Sequence, residues 1–105
     1  MADETWTFLT NHAHVLLVIH REPGLRQRDI AEMVGVTEGA VQRIVGELEA
    51  GGYLRRERQG RRNVYSVAYD ATLRHRLDAG RTVGELLGAL DPVLELSHLG
   101  ADAAG

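Results

Sequence analysis

The residues with the clearest potential for chemistry are a glutamine–arginine pair and a group of five arginines that follows it. Gln42 and Arg43 are adjacent in the segment TEGAVQRIVG. Residues 53–67 hold one acidic residue, Glu57, and five arginines, which are Arg55, Arg56, Arg58, Arg61 and Arg62. A glutamine amide can form two hydrogen bonds with adenine, and a guanidinium can form two with guanine. Clustered guanidinium groups also bind phosphate well, so these residue types together indicate contact with nucleic acid.

The distribution of charge agrees with this chemistry, although the net charge of the chain is −3. Residues 21–67 carry nine arginines against seven acidic residues, whereas the segments before and after them are acidic. Charges more than about 10 Å apart are screened at ordinary salt, so a phosphate responds to the local patch and not to the average. Every basic residue besides histidine is an arginine, which suits bidentate contacts, although a codon bias of the genome explains the same observation.

Two short helices are predicted ahead of the glutamine–arginine pair. Thr10 or Asn11 can cap the first, and Glu22-Pro23-Gly24 ends it because proline cannot continue the hydrogen-bond ladder. The second covers residues 27–34 and ends at Gly35, where a positive φ is wanted. The residues expected on the buried face of the first helix are Phe8, His12, Val15, Leu16 and Ile19.

A third helix and a hairpin follow at once. Thr37 caps a helix over Thr37–Ala50, and Gly51-Gly52 ends it. Strands at 53–58 and 63–67 flank a turn around Gly60, which forms a wing over residues 54–67. The buried stripe of the third helix has the spacing i, i+3, i+4 and i+7 and consists of Val41, Ile44, Val45 and Leu48. Two helices joined by a glycine-containing turn, with a wing behind them, are typical of a winged helix-turn-helix domain.

This arrangement predicts specific contacts between the third helix and duplex DNA. The helix enters the major groove, where Gln42 and Arg43 read base edges. Thr37 and the first amides of the helix meet phosphate. Gly39 has no side chain, so DNA can approach the helix closely at this position. Glu38 repels phosphate, so it either complements the helix dipole or accepts a hydrogen bond from a cytosine amino group.

Further contacts with the DNA backbone are predicted on both sides of that helix. Arg26 and Arg28 lie at the start of the second helix. The wing tip can hold the sugar–phosphate backbone or insert one guanidinium into the minor groove. An arginine run is often only a solvated face, but its place beside a reading helix favours phosphate contact. The wing-tip candidates are Arg58, Arg61, Arg62 and Asn63.

A candidate dimerisation segment follows the wing, over residues 70–98. Thr82 can cap a helix whose apolar stripe either contacts a second copy or packs on the first helix of its own domain. Trp6 and Phe8, in an N-terminal segment over residues 1–9, can complete either surface. Residues 99–105 are expected to form a frayed tail. The members of the apolar stripe are Val83, Leu86, Leu87 and Leu90.

Several other classes of protein are excluded by the inventory of residues. The chain has no cysteine and two serines, and it contains no phosphate-binding loop, so neither catalysis nor a cofactor is predicted. No two histidines stand three or four residues apart, so no metal site is predicted, and a buried, hydrogen-bonded His12 is expected instead. With neither an apolar run nor a secretory signal, the chain is expected to be cytoplasmic and without a membrane partner.

The stretch from Thr10 to Val67 resembles the winged helix-turn-helix regulators of the MarR/ArsR type, in particular small bacterial members. The likeness rests on a first helix with TNHA and VLL, a reading unit with RDIA and VGVTEGAVQRIV, and a wing with GRRNVY. It implies a mainly α fold, a homodimer and a third helix that binds DNA. The chain is too short for the long flanking helices that enclose a ligand in larger MarR-type proteins, and it lacks cysteines for metal sensing. A sensor function is therefore not carried over.

These observations predict a repressor-like homodimer that binds an inverted repeat in double-stranded DNA. The main alternative is a winged-helix module that docks on other proteins without binding specific DNA, and a third possibility is a DNA-binding subunit that works only as a heterodimer or with a bound effector. Glu38, Glu47 and Glu49 on the third helix favour the docking module, whereas the arginine-rich wing favours DNA.

Overall fold

The computed structural model describes residues 6–91, which form four helices and one two-stranded antiparallel hairpin. The mainly α winged helix-turn-helix fold with one additional helix after the wing is confirmed. The predictions for residues 1–5, 92–98 and 99–105 lie outside the described residues. In chain order the elements are α1 (Asn11–Arg21), α2 (Gln27–Val34), α3 (Glu38–Ala50), β1 (Leu54–Gln59), β2 (Arg62–Val67) and α4 (Val83–Leu90).

Threonine caps fix where three of the helices begin. Thr10, Thr37 and Thr82 each accept a hydrogen bond from the backbone N–H three residues later, at 3.2, 3.0 and 3.1 Å. Glu85 accepts in return from the backbone N–H of Thr82 at 2.9 Å, which completes a capping box. α2 ends at Gly35, whose φ of 89° lies in the left-handed region that glycine tolerates best. The caps and the end of α2 are therefore as predicted.

The core lies between α1, α2, α3 and the base of the hairpin, and α4 closes it against α1. The predicted apolar stripe of α3 is buried along its whole length. Val83 and Leu87 of α4 are 0 % exposed, so intrachain packing already accounts for these two members of the α4 stripe. The largest side chains that are fully buried are Val15, Ile30, Val41, Ile44, Val45, Val83 and Leu87.

A close backbone approach holds the start of α4 against the segment after the wing. The N–H of Gly84 donates to the carbonyl of Tyr69 at 2.8 Å, and the N–H of Val83 donates to the carbonyl of Ala71 at 2.8 Å. A Cβ on Gly84 would lie 2.9 Å from the Tyr69 carbonyl oxygen, so a larger residue would force the two segments apart. Residues 73–81 connect these points by irregular turns.

The hairpin pairs β1 with β2 in a register that fixes which side chains share a face. Leu54 lies opposite Val67, and Gln59 lies opposite Arg62. The two-residue loop Gly60-Arg61 joins the strands, and Gly60 has a φ of 64°. Both strands therefore reach one residue further toward the tip than predicted, because this tight turn needs only two unpaired residues.

Two expectations about α1 are wrong. Phe8 is 93 % exposed, because α1 begins only at Asn11 and Phe8 precedes its cap. The Phe8 ring instead packs edge-on against Trp6, with the ring centroids 5.1 Å apart. His12 is hydrogen-bonded as expected, but its side chain is 41 % exposed and not buried.

Candidate nucleic-acid interface

The face of α3 opposite its buried stripe is open to solvent. Gly39, Gln42, Arg43 and Gly46 are all exposed along it. Within residues 6–91, the Gln42 amide takes part in no hydrogen bond, so both its donor and its acceptor are available to a base edge. Two glycines and two side chains with hydrogen-bonding ends give this face a low profile, which suits insertion into the major groove.

The starts of α2 and α3 lie side by side. Arg26, Gln27, Arg28 and Glu38 line one surface depression of about 310 Å³. Neither of the two arginine side chains forms an ion pair or hydrogen bond with any other described residue. Because the two arginines share this depression with Glu38, their positive charges would offset part of its repulsion of a phosphate bound there. The structure therefore places the two arginines at the start of α2, which are predicted to contact the DNA backbone, close to Glu38. Glu38 is the acidic residue that is hardest to reconcile with DNA binding from the sequence.

The helix cap of α3 leaves a donor for phosphate. Thr37 Oγ1 accepts the N–H of Ala40 at 3.0 Å, so the hydroxyl hydrogen of this exposed residue stays free to donate. A phosphate at this point would also face the positive end of the helix dipole.

Arg43, the second predicted base reader, has a partner inside the protein. Its Nη1 lies 3.4 Å from both carboxylate oxygens of Glu47, one turn along the helix. The same carboxylate accepts a hydrogen bond from Nε2 of His12 on α1, with 2.7 Å between Nε2 and Oε1. The hydrogen bond from His12, followed by the nearby charge of Arg43, lowers the pKa of Glu47 below its usual value. The Arg43 guanidinium is thus exposed to solvent and only weakly bound to Glu47.

Two arginines fasten the wing to the rest of the domain. Arg56 Nε lies 3.2 Å from Glu49 Oε2, which joins β1 to the last part of α3. Arg62 Nη2 donates to the carbonyl of Gly24 at 2.8 Å, which joins β2 to the loop between α1 and α2. Arg62 is predicted among the wing-tip contacts, and in the structure its guanidinium supports the wing from the side.

The wing tip presents the remaining candidates. Arg58 Nε donates to the carbonyl of Gly60 at 3.2 Å and thereby braces the turn. Arg61 lies in the two-residue loop and Asn63 lies next to it on β2, and both are exposed. Neither the Arg61 nor the Arg55 side chain forms an ion pair or hydrogen bond within residues 6–91. These two guanidinium groups are the ones on the wing that are free to bind phosphate.

Two residues of this surface are not among the individual DNA contacts predicted from sequence, although Arg55 belongs to the predicted arginine cluster. Gly46 extends the low face of α3 one further turn beyond Gln42, and its position seven residues after Gly39 was the available signal. Arg55 is paired with Ser66 across the hairpin. Neighbouring residues of a strand point to opposite faces, so Arg55 is exposed because Leu54 beside it faces the core.

The six residues predicted for a dimer contact occupy different environments. Val83 and Leu87 are buried in the core of this chain. The two aromatic residues are exposed, and the two leucines are half-buried: Trp6, Phe8, Leu86 and Leu90.

Comparison with known proteins identifies the domain. Residues 7–62, more than half of the chain, match the family model described as the MarR family. The chain belongs to the MarR family. The MarR part of the resemblance is thereby confirmed, whereas the ArsR part stays a prediction. Membership in the MarR family supports a DNA-binding transcription regulator, and MarR family members are regulators rather than enzymes.

A second comparison places this MarR family domain beside a much longer protein. The chain is 34 % identical over 67 residues to an uncharacterized protein of Methanocaldococcus jannaschii. The match covers 63 % of this chain but 14 % of that protein, so the chain spans about a seventh of its length.

Two kinds of feature are absent from the described part of the chain. None of its helices has the length and apolar character needed to cross a membrane. Residues 6–91 also contain no cluster of three histidine or acidic side chains arranged to bind a metal ion.

Proposed function

We propose that this protein is a sequence-specific transcription regulator that binds double-stranded DNA as a repressor-like homodimer in the cytoplasm. α3 enters the major groove, where Gln42 and Arg43 contact base edges, and the wing contacts the flanking backbone. The observation that carries the proposal is the open face of α3, with its unpartnered Gln42 amide, bordered by the free arginines of α2 and of the wing.

The acidic residues of α3 oppose DNA binding less than their number suggests. Glu47 accepts hydrogen bonds from Arg43 and His12, and Glu49 forms an ion pair with Arg56, at the distances given above. These two were reasons to favour a protein-docking module, and their pairing weakens that alternative. A docking surface also has no need for unpaired guanidinium groups on the wing.

The proposed homodimer follows from the small number of base readers. A single subunit offers two strong candidates, Gln42 and Arg43, so useful selectivity requires a second copy. A two-fold dimer would read an inverted repeat whose half-sites are about 34–36 Å apart. The exposed Trp6–Phe8 pair supports the proposal that the N-terminal segment contributes to the contact between copies.

Selection of bound duplexes from a random library tests the proposed function. The expected product is an enriched inverted repeat. Gln42→Ala should then relax the preference at one base position of each half-site, with a loss of about 1–3 kcal/mol in discrimination. Enrichment of no duplex, together with retention on a protein partner, would support the docking module instead.

Salt titration of the wing separates affinity from specificity. Arg61→Ala combined with Arg62→Ala should weaken binding to every duplex and reduce the slope of log K against log [salt] by about one for each phosphate that is no longer bound. Arg61→Ala alone should account for most of the change, since Arg62 is tied to Gly24. A double variant that binds like the wild type at several salt concentrations would refute the role of the wing.

A further inference from the structure

Glu47 lies between two competing hydrogen-bond donors, His12 and Arg43, and its contacts with them are unequal. The distance from His12 Nε2 to Glu47 Oε1 is 2.7 Å, a strong hydrogen bond to a carboxylate. The two distances from Arg43 Nη1 to the Glu47 oxygens are both 3.4 Å, the outer limit of a hydrogen bond. The carboxylate on α3 is therefore held more closely by α1 than by its neighbour one turn away.

The position of Glu47 relative to Arg43 matters for DNA recognition. Residues near the start of a recognition helix approach the bases, and Glu47 lies one turn beyond Arg43 toward the other end. A full bidentate pair with Glu47 would draw the Arg43 guanidinium away from the groove and occupy the same N–H groups that bind guanine. A carboxylate that already accepts a short hydrogen bond from His12 has less capacity to capture Arg43.

We propose that His12 is a positioning residue for base recognition: by holding Glu47 against α1, it keeps Arg43 free to read guanine. His12 makes no DNA contact in this arrangement and acts only through Glu47. The inference rests on the proposed function, since it explains how Arg43, one of the proposed base readers, is kept in position.

A purely structural role for this pair is a weaker explanation. The side chains of His12 and Glu47 are 41 % and 51 % exposed, and a polar contact between exposed side chains contributes little to folding, whether or not it is an ion pair. Their removal should therefore leave the thermal unfolding of the domain nearly unchanged, while binding changes through Arg43.

The test measures discrimination, defined as the ratio of dissociation constants for the selected duplex and for one with its contacted guanine replaced. His12→Ala should lower discrimination about two- to fivefold, the range expected from the strength of exposed ion pairs. His12→Gln, whose amide can still donate to Glu47, should restore part of it. Glu47→Gln should raise the affinity for the selected duplex, and His12→Ala should have no further effect in that background.

The chain provides a matched control in Glu49→Gln. This change also removes one negative charge from α3, but Glu49 pairs with Arg56 on the wing and not with Arg43. It should strengthen binding to selected and replaced duplexes alike, whereas Glu47→Gln should strengthen mainly the former. Repeating the series with Arg43→Ala should abolish every effect of His12 and Glu47 on discrimination.

The possible failures are distinguishable. A wild-type protein that prefers no duplex would overturn the proposed function, and specific binding unaffected by Arg43→Ala would overturn both the role of Arg43 and this inference. If specific binding depends on Arg43 but Glu47→Gln and Glu49→Gln change discrimination equally, the inference about His12 is overturned and the proposed function is not. The inference also fails if His12→Ala acts equally with and without Glu47.

Discussion

Gly46 provides a test in which folding and DNA binding should respond in opposite directions. It lies within α3 on the exposed face, and a Cβ added there would meet no other atom within 4 Å. Glycine inside a helix costs roughly 0.5–1 kcal/mol relative to alanine, because it loses more backbone freedom on folding. Gly46→Ala should therefore stabilise the free protein by about that amount, which corresponds to a rise of roughly 2–8 °C in Tm for a domain of this size.

The same methyl group would project from the low face of α3 toward the proposed major-groove contact. We therefore expect Gly46→Ala to weaken binding to the selected duplex while it raises Tm. Gly88→Ala in α4 is the matched control, since a Cβ there also meets nothing within 4 Å and α4 is remote from the reading face in the proposed complex. It should give a similar gain in stability without a loss of affinity.

Circular dichroism melting and fluorescence anisotropy with a labelled duplex measure the two effects on the same samples. If Gly46→Ala is stabilised but binds as tightly as Gly88→Ala, this turn of α3 does not approach DNA. If Gly46→Ala melts below the wild type, the space around its Cβ is not open as described.

Other predictions concern α4, its cap and the contact between copies. Leu87→Ala should lower the free energy of unfolding by about 2–5 kcal/mol in a urea titration, since Leu87 is 0 % exposed; a decrease below about 1 kcal/mol would mean that α4 does not complete the core. Thr82→Ala should lower it by about 1 kcal/mol through removal of the cap, and an unchanged Tm would contradict that role. The N–H of Thr82 holds the pKa of Glu85 below its usual 4.5, so the stability that the carboxylate adds is present above that pH and is lost as the pH falls further. The difference in Tm between the wild type and Glu85→Gln should accordingly shrink below pH 4.5, and a constant difference would count against it. Sedimentation equilibrium should give twice the chain mass of 11.6 kDa, and Trp6→Ala with Phe8→Ala should shift it toward the monomer; an unshifted dimer would remove these residues from the contact.

Local signals account for the parts of the fold that were predictable from sequence. Thr37 marks the start of α3, and Gly35 marks the end of α2. Both positions were predictable because a hydroxyl cap and a left-handed glycine act within three or four residues of the chain. The apolar stripe of α3 identified its buried face for the same reason. The spacing of Phe8 matches the buried face of α1 but does not predict its burial, because Phe8 precedes the cap at Thr10 and the helix begins only at Asn11.

Contacts between distant segments were not predictable in the same way. Arg62 binds the carbonyl of Gly24, and His12 binds Glu47, across 38 and 35 residues of sequence. No periodicity encodes such pairs, since they depend on how the hairpin and α1 pack. The stripe of α4 shows the same limit, because spacing marks Leu87 as buried without saying whether its own domain or a second copy covers it.

The central claim is that α3 and the wing form the DNA-binding surface. The most direct test is an NMR titration of the ¹⁵N-labelled protein with a duplex that contains the selected repeat. The largest amide shifts should fall at residues 26–28, 37–46 and 55–63, with small changes in α4. Shifts concentrated around Trp6, Phe8 and α4, with α3 and the wing unchanged, would contradict the claim.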